Sequence, residues 1–185
     1  MGWTLDGFMD PDEALRALEM LVDDADHNFA LMIESKGTPI EGECKRKFED
    51  GKPRLDIGGY YLFARVETPT GSSKGKVVTK DLLIVRQCDA ATASIASLLK
   101  NQDDQLKLLI SVFKAGGDDS PDAQPTLELS MEGARVKTHT MLVGGRPQRP
   151  SELVTIAYRK LEIRSAPQTA TGARGAVRTC TLLSS

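Results

Sequence analysis

The chain has 185 residues, 40% hydrophobic and 27% charged, with a formal net charge of −2. That balance suits one globular domain with its own core and excludes fibrous and disordered classes; no apolar run approaches the ~20 residues of a spanning helix, and no basic stretch precedes an apolar run at the start, so neither membrane insertion nor Sec-type export is expected. Aromatic residues make up 5%, with one tryptophan, Trp3, too few rings for a single-strand stacking platform, so no nucleic-acid partner is expected.

Residues 1–28 hold eight acids against one base, Arg16, so the rest of the chain is mildly basic. This head reads as a helix over residues 11–25. Asp10 is a suitable N-cap, Pro11 takes the first helical position, and Glu13 completes a D-x-x-E capping box. Leu15, Leu18, Leu21 and Val22 then form one apolar stripe on an acidic helix, the candidate N-terminal contact.

From residue 29 the period changes to that of strands. Phe29, Leu31 and Ile33 alternate, Gly37-Thr38-Pro39 breaks the run, and Glu43 to Arg54 reads as a charged loop. Two long strands are expected at Leu55 to Val66 and Lys76 to Gln87, joined by turn-forming residues throughout, Glu67 to Gly75. A short helix follows from Asp89 to Lys100, with Ile95, Leu98 and Leu99 on one face and Asp89 available as its cap. Leu106 to Val112 and Leu127 to Met131 read as a hairpin around a polar turn; further strands are expected at Ala134 to Val143 and Leu153 to Ile163. Beyond Pro167 the chain is Thr-, Ala-, Gly- and Arg-rich and reads as a loose tail. About seven strands with one internal helix give a mainly β fold, an antiparallel barrel or sandwich with a flanking helix and an additional N-terminal helix.

No motif carries a chemistry. Gly71-Ser72-Ser73-Lys74-Gly75 matches G-x-S-x-G, and a small serine hydrolase would use Ser73. However, Thr68-Pro69-Thr70 precedes it in place of a buried strand, and a strand, not a helix, follows. His27 and His139 are the only histidines; His139 lies in a polar-alternating strand, facing solvent or a barrel interior. Cys44, Cys88 and Cys180 show no C-x-x-C spacing and read as incidental thiols. Asp103-Asp104 and Asp118-Asp119-Asp122 lack calcium-loop spacing, and Lys45-Arg46-Lys47 is too short for a nucleic-acid patch. No catalytic residue, metal or cofactor is expected.

Several segments are similar to the haemolysin-coregulated protein (Hcp) family, the tube subunit of bacterial type VI secretion systems. Phe29 to Ile33 followed by Ile40-Glu41-Gly42-Glu43 resembles its opening strand and "GES"-type turn, with Cys44 at the usual serine. Val78 to Asp89 resembles the strand leading to its single helix, and Leu106 to Gly117 ends in Lys114-Ala115-Gly116-Gly117, similar to its "RKAGG" turn. Thr126 to Val143 and Glu152 to Gln168 resemble its later strands. The resemblance implies an Hcp-like barrel over 29–168; the acidic helical extension at 1–28 is not part of the family's usual pattern, and the flexible tail expected at 169–185 lacks its common aromatic ending. The resemblance also implies self-assembly into hexameric rings stacked as a tube, with sheath and spike components as partners and effector proteins in the lumen. Such a protein is cytoplasmic before assembly and leaves through the apparatus without a signal peptide. The resemblance assigns ring stacking to the loop carrying Thr68, Thr70, Gly71, Ser72, Ser73, Lys74, Gly75 and Lys76. A tail-tube subunit of a phage or other contractile injection particle is the alternative within the same architecture.

Overall fold

A computed structural model describes residues 16, 27–68, 70, 74–114, 124–144, 148–167 and 175–183. Along them run β1 (His27–Ser35), β2 (Thr38–Pro39), β3 (Leu55–Ile57), β4 (Gly59–Tyr61), β5 (Ala64–Glu67), β6 (Lys76–Thr79), β7 (Leu82–Gln87), α1 (Thr92–Asn101), β8 (Leu106–Lys114), β9 (Leu127–Gly144), β10 (Arg149–Ala157), β11 (Lys160–Ser165) and β12 (Arg178–Leu183). Every pairing among them is antiparallel.

The strands form two layers joined at both edges. One layer runs β1–β8–β9–β11–β12; the other runs β9–β10–β7–β4. Strand β9 belongs to both, its first half pairing with β8 and β11 and its second with β10. At the other edge β3 pairs with β1, while Gly58 donates its N–H to the Val85 carbonyl at 2.8 Å and β4 continues along β7. The core between the layers takes Leu31 and Ile33 from β1, Leu82 and Ile84 from β7, Leu106, Leu108 and Ile110 from β8, and Val154 and Ile156 from β10. These are alternate residues, as the two-residue strand period requires. Helix α1 packs Ala91, Ile95, Leu98 and Leu99 against the same core.

Mainly antiparallel β with one internal helix is the expected class, but several boundaries differ. Leu55 to Val66 is not one strand: β3 pairs with β1, β4 with β7, and β5 with β6 alone, because neighbouring stretches of one segment meet three different partners. Leu127 to Met131 and Ala134 to Val143 form the single strand β9. Its Gly133 has a φ of 59°, a left-handed residue that bends the strand from one layer into the other. Leu153 to Ile163 divides into β10 and β11 at Tyr158-Arg159, opposite that bend, where the Arg159 N–H reaches the Glu132 carbonyl at 3.1 Å. The expected loose tail contains β12, which pairs along all of β11. Residues 168–174 lie outside the described residues, as does all of the expected helix 11–25 except Arg16, which is helical and exposed.

The charged loop from 43 to 54 is held on the outside of β8. Arg46 stands over the Phe113 ring at 3.8 Å, Phe48 lies 6.0 Å from that ring, and Arg54 stands over Phe48 while pairing with Asp50 at 2.6 Å.

Candidate assembly surface

Strands β5 and β6 leave the two layers as a separate ribbon. They pair only with each other, in the register Ala64↔Thr79, Arg65↔Val78, Val66↔Val77 and Glu67↔Lys76. The base is closed by the Lys80 N–H on the Phe63 carbonyl at 3.0 Å, and Tyr158 donates its hydroxyl to the Lys80 carbonyl at 3.2 Å. Above it, every residue of β5 is exposed. Val66 and Val77, paired on one face, keep 61% and 40% of their surface in water. Two β-branched residues suit a ribbon, but their exposure leaves apolar area without cover from the described residues. Arg65 and Glu67 pair on the opposite face.

Of the expected stacking residues, Lys76 starts β6 and Gly75 precedes it; a Cβ at Gly75 would run into Val66 and Thr68, so the close return of the chain requires glycine. Thr68, Thr70 and Lys74 are described as ribbon-tip residues. Gly71, Ser72 and Ser73 lie outside the described residues, as do Leu15, Leu18, Leu21 and Val22. The residues after the G-x-S-x-G match form a strand, not the helix of a nucleophile elbow.

The main feature missed by the sequence analysis is a buried charge cluster at the start of α1. Arg86, 1% exposed, pairs with Glu152, 0% exposed, and with Asp89 at 2.6 Å. The second Glu152 oxygen meets His139 Nε2 at 2.6 Å, and Thr92 donates to Glu152 at 3.3 Å. Asp89 accepts the Ala91 N–H at 2.8 Å and the Glu43 N–H at 3.2 Å, so it organises the helix start from two residues before the N-cap, Ala91, which makes no side-chain cap. Burial pushes the Asp89 carboxyl up, but the hydrogen bonds from Arg86 and the Ala91 N–H outweigh it and hold the group below its ordinary range. Of the two expected orientations of His139 the interior one holds: it pairs with core-facing Val154 and its buried ring meets Glu152. A usable signal was a charge inside an apolar strand, Arg86 after Leu82 to Val85 and Glu152 before Leu153.

The remaining candidates hold structure. Burial and the Asp56 carboxylate push the Cys44 thiol up to about 12, and burial with the Glu152 charge raises Cys88. Asp103 accepts the Ser35 hydroxyl and the Gln105 N–H, while Asp104 pairs with Arg159 at 3.4 Å. Asp118, Asp119 and Asp122 lie outside the described residues. Among the described residues no group of three His, Cys, Asp or Glu could hold a metal, and no helix is long and apolar enough to cross a membrane.

Comparison with known proteins gives a concordant result. The family described as "Type VI secretion system effector, Hcp" matches residues 33–164. No curated protein matches in sequence. Among solved structures, one described as a type six secretion system protein is 20% identical, with a TM-score of 0.65 over 81% of this chain and 91% of its own. Hcp1 from Salmonella typhimurium is 14% identical, with a TM-score of 0.62 over 84% and 95%. Hcp3 from Pseudomonas aeruginosa, described as secreted, is 14% identical, with a TM-score of 0.58 over 86% and 99%. These likenesses concern the fold, whereas the family match spans most of the chain. The chain belongs to the Hcp family, as a structural tube subunit of a type VI secretion system and not an enzyme.

Proposed function

We propose that the protein closes into hexameric rings that stack as a tube, with the β5–β6 ribbon making the ring-to-ring contact. The carrying observation is the ribbon itself: two strands outside both layers, with Val66 and Val77 paired and exposed. A ring needs heterologous contacts that close, and a stack needs an element that reaches beyond the ring. The ribbon, with Thr68, Thr70, Gly71, Ser72, Ser73, Lys74, Gly75 and Lys76 at and around its tip, meets the second need. The tube would be built from cytoplasmic subunits, engage sheath and spike components, hold effectors in its lumen and leave the cell through the apparatus without a signal peptide.

Light scattering coupled to size exclusion, with negative-stain images of the peak, tests this reading. A mass of about six subunits and ring-shaped particles are expected. Val66→Asp with Val77→Asp should leave rings and the melting temperature of the isolated subunit unchanged while shortening stacks severalfold. A monomer at every concentration would refute ring assembly; unchanged stacks in the double variant would remove the ribbon from the contact.

A further inference from the structure

The outer face of the second layer is buried, and the partly buried apolar side chains of the described residues that pack on it belong to that layer itself. On β7, Leu82 and Ile84 point into the core, so Leu83 and Val85 point the other way; Leu153 of β10, paired with Val85, points with them. These three side chains are 3%, 0% and 1% exposed, and Ser151 and Thr155 on the same face are equally covered. The partly buried apolar side chains packed on them are Tyr61 and Leu142, both members of the same layer. Neighbours within a sheet flank a side chain but do not cap it; a second layer does that.

The covering segment can be found by elimination. The undescribed segments at 71–73, 115–123, 145–147, 168–174 and 184–185, with residue 69, contain no apolar side chain larger than alanine except prolines. Residues 1–26 contain Trp3, Leu5, Phe8, Met9 and Met20 besides Leu15, Leu18, Leu21 and Val22, and the last four share one stripe of the helix expected over 11–25. We infer that the acidic N-terminal segment is a helix seated within its own subunit on the outer face of β4–β7–β10–β9, its leucine stripe covering Leu83, Val85 and Leu153.

Dimensions, attachment and charge all fit. Fifteen helical residues, 11–25, span about 22 Å, against about 17 Å for the six-residue β7–β10 ladder and about 14 Å across four strands. The chain enters β1 at His27; Phe29 pairs with Ile57, and the next residue, Gly58, bonds Val85. The end of the segment is thus about two strand spacings, about 10 Å, from β7. At about 100° per residue, Arg16 stands about 150° from the centre of the leucine stripe, and Arg16 is helical and exposed. Asp12, Glu19 and Asp23 line one border of the stripe, while the face ends in exposed Arg149, opposite Gly144, and exposed Arg135, opposite Ala157. A helix so placed is a layer of its own subunit, which makes its docking independent of ring assembly.

Disulfide trapping in the full chain, with Cys44, Cys88 and Cys180 replaced by serine, tests this. Leu18→Cys or Val22→Cys is combined with Thr140→Cys on the proposed face or with Ser130→Cys on the other layer, and oxidised with copper phenanthroline. Intramolecular bridging of most molecules with Thr140→Cys, and little with Ser130→Cys, is expected. Bridges only between chains, equal bridging to both positions, or none would overturn the assignment. Leu18→Asp with Val22→Asp in the otherwise native chain gives a second readout. Amide exchange of Leu83 to Val85 and Leu153 to Thr155 should accelerate about tenfold while β1–β8 is unchanged; unchanged exchange at β7 and β10 would equally overturn it.

Discussion

Replacing Arg86 by methionine isolates the buried cluster from everything else in the fold. Methionine keeps most of the stem volume and removes the charge, leaving fully buried Glu152 with His139 and Thr92 as its side-chain partners among the described residues, and Asp89 without the Arg86 cation. Removing one partner of a buried pair costs about 3–5 kcal/mol, because the other charge is left uncompensated. For 185 residues the unfolding entropy near the melting point is about 0.4 kcal/mol/K, so Tm should fall by about 8–13 °C. Calorimetry at one protein concentration is the assay, since assembly itself shifts Tm by mass action. Adding Glu152→Gln to Arg86→Met should recover at least about 1 kcal/mol, because the orphaned charge disappears. A single variant melting within about 2 °C of the parent would refute the argument, as would a double variant that melts lower than the single.

Gly133→Ala forces a Cβ onto a φ of 59° and to within 2.9 Å of Arg159 Cδ; a loss of about 1–2 kcal/mol is expected in urea unfolding, with no change of fold by circular dichroism. The Lys52 hydrogen bond holds Glu34 below its ordinary value of 4.5, against the opposing effect of burial. Its stabilisation is therefore present above that value and lost as pH falls through the lowered one, so the difference in urea midpoint between the parent and Glu34→Gln at pH 6 should shrink as pH falls below 4.5. Maleimide labelling followed by mass spectrometry at pH 8 should modify exposed Cys180 first and Cys44, pushed up to about 12, last.

What the sequence revealed of the fold was what side-chain period and turn chemistry encode. Leu106, Leu108, Ile110 and Val112 alternate and are all buried in the core, and Ile95, Leu98 and Leu99 mark α1 because helical spacing gathers them on one face. Partner choice is not written in the period. Leu55 to Val66 is uniformly strand-like, yet it serves β1, β7 and β6 in turn, a division made by tertiary pairing. Gly133 was ambiguous for a related reason: a glycine in a strand marks either a break or a bend, and the pairing of Tyr158-Arg159 opposite decides for the bend. The ribbon tip was legible because Thr68 to Gly75 is turn-forming throughout. The charges inside apolar strands were visible, but their pairing was not, because Arg86 meets a partner, Glu152, that lies 66 residues beyond it in the chain.

The two ends of β7 have opposite mechanical characters. At the Gln87 end, Arg86 ties β7 to β10 through Glu152 and to the start of α1 through Asp89, while Glu152 adds β9 through His139. At the Leu82 end the chain returns from the ribbon, whose strands pair only with each other above the Lys80–Phe63 closure. A two-stranded ribbon alone is marginal in water, so Val66 and Val77 gain their cover only from a further surface. It follows that changes near Arg86 should lower stability in every assembly state, whereas changes at Val66 and Val77 should alter association and leave the isolated subunit as stable as before. A melting temperature that responded to Val66→Asp in the isolated subunit would mean that the ribbon packs on its own barrel and is not held out for a neighbour.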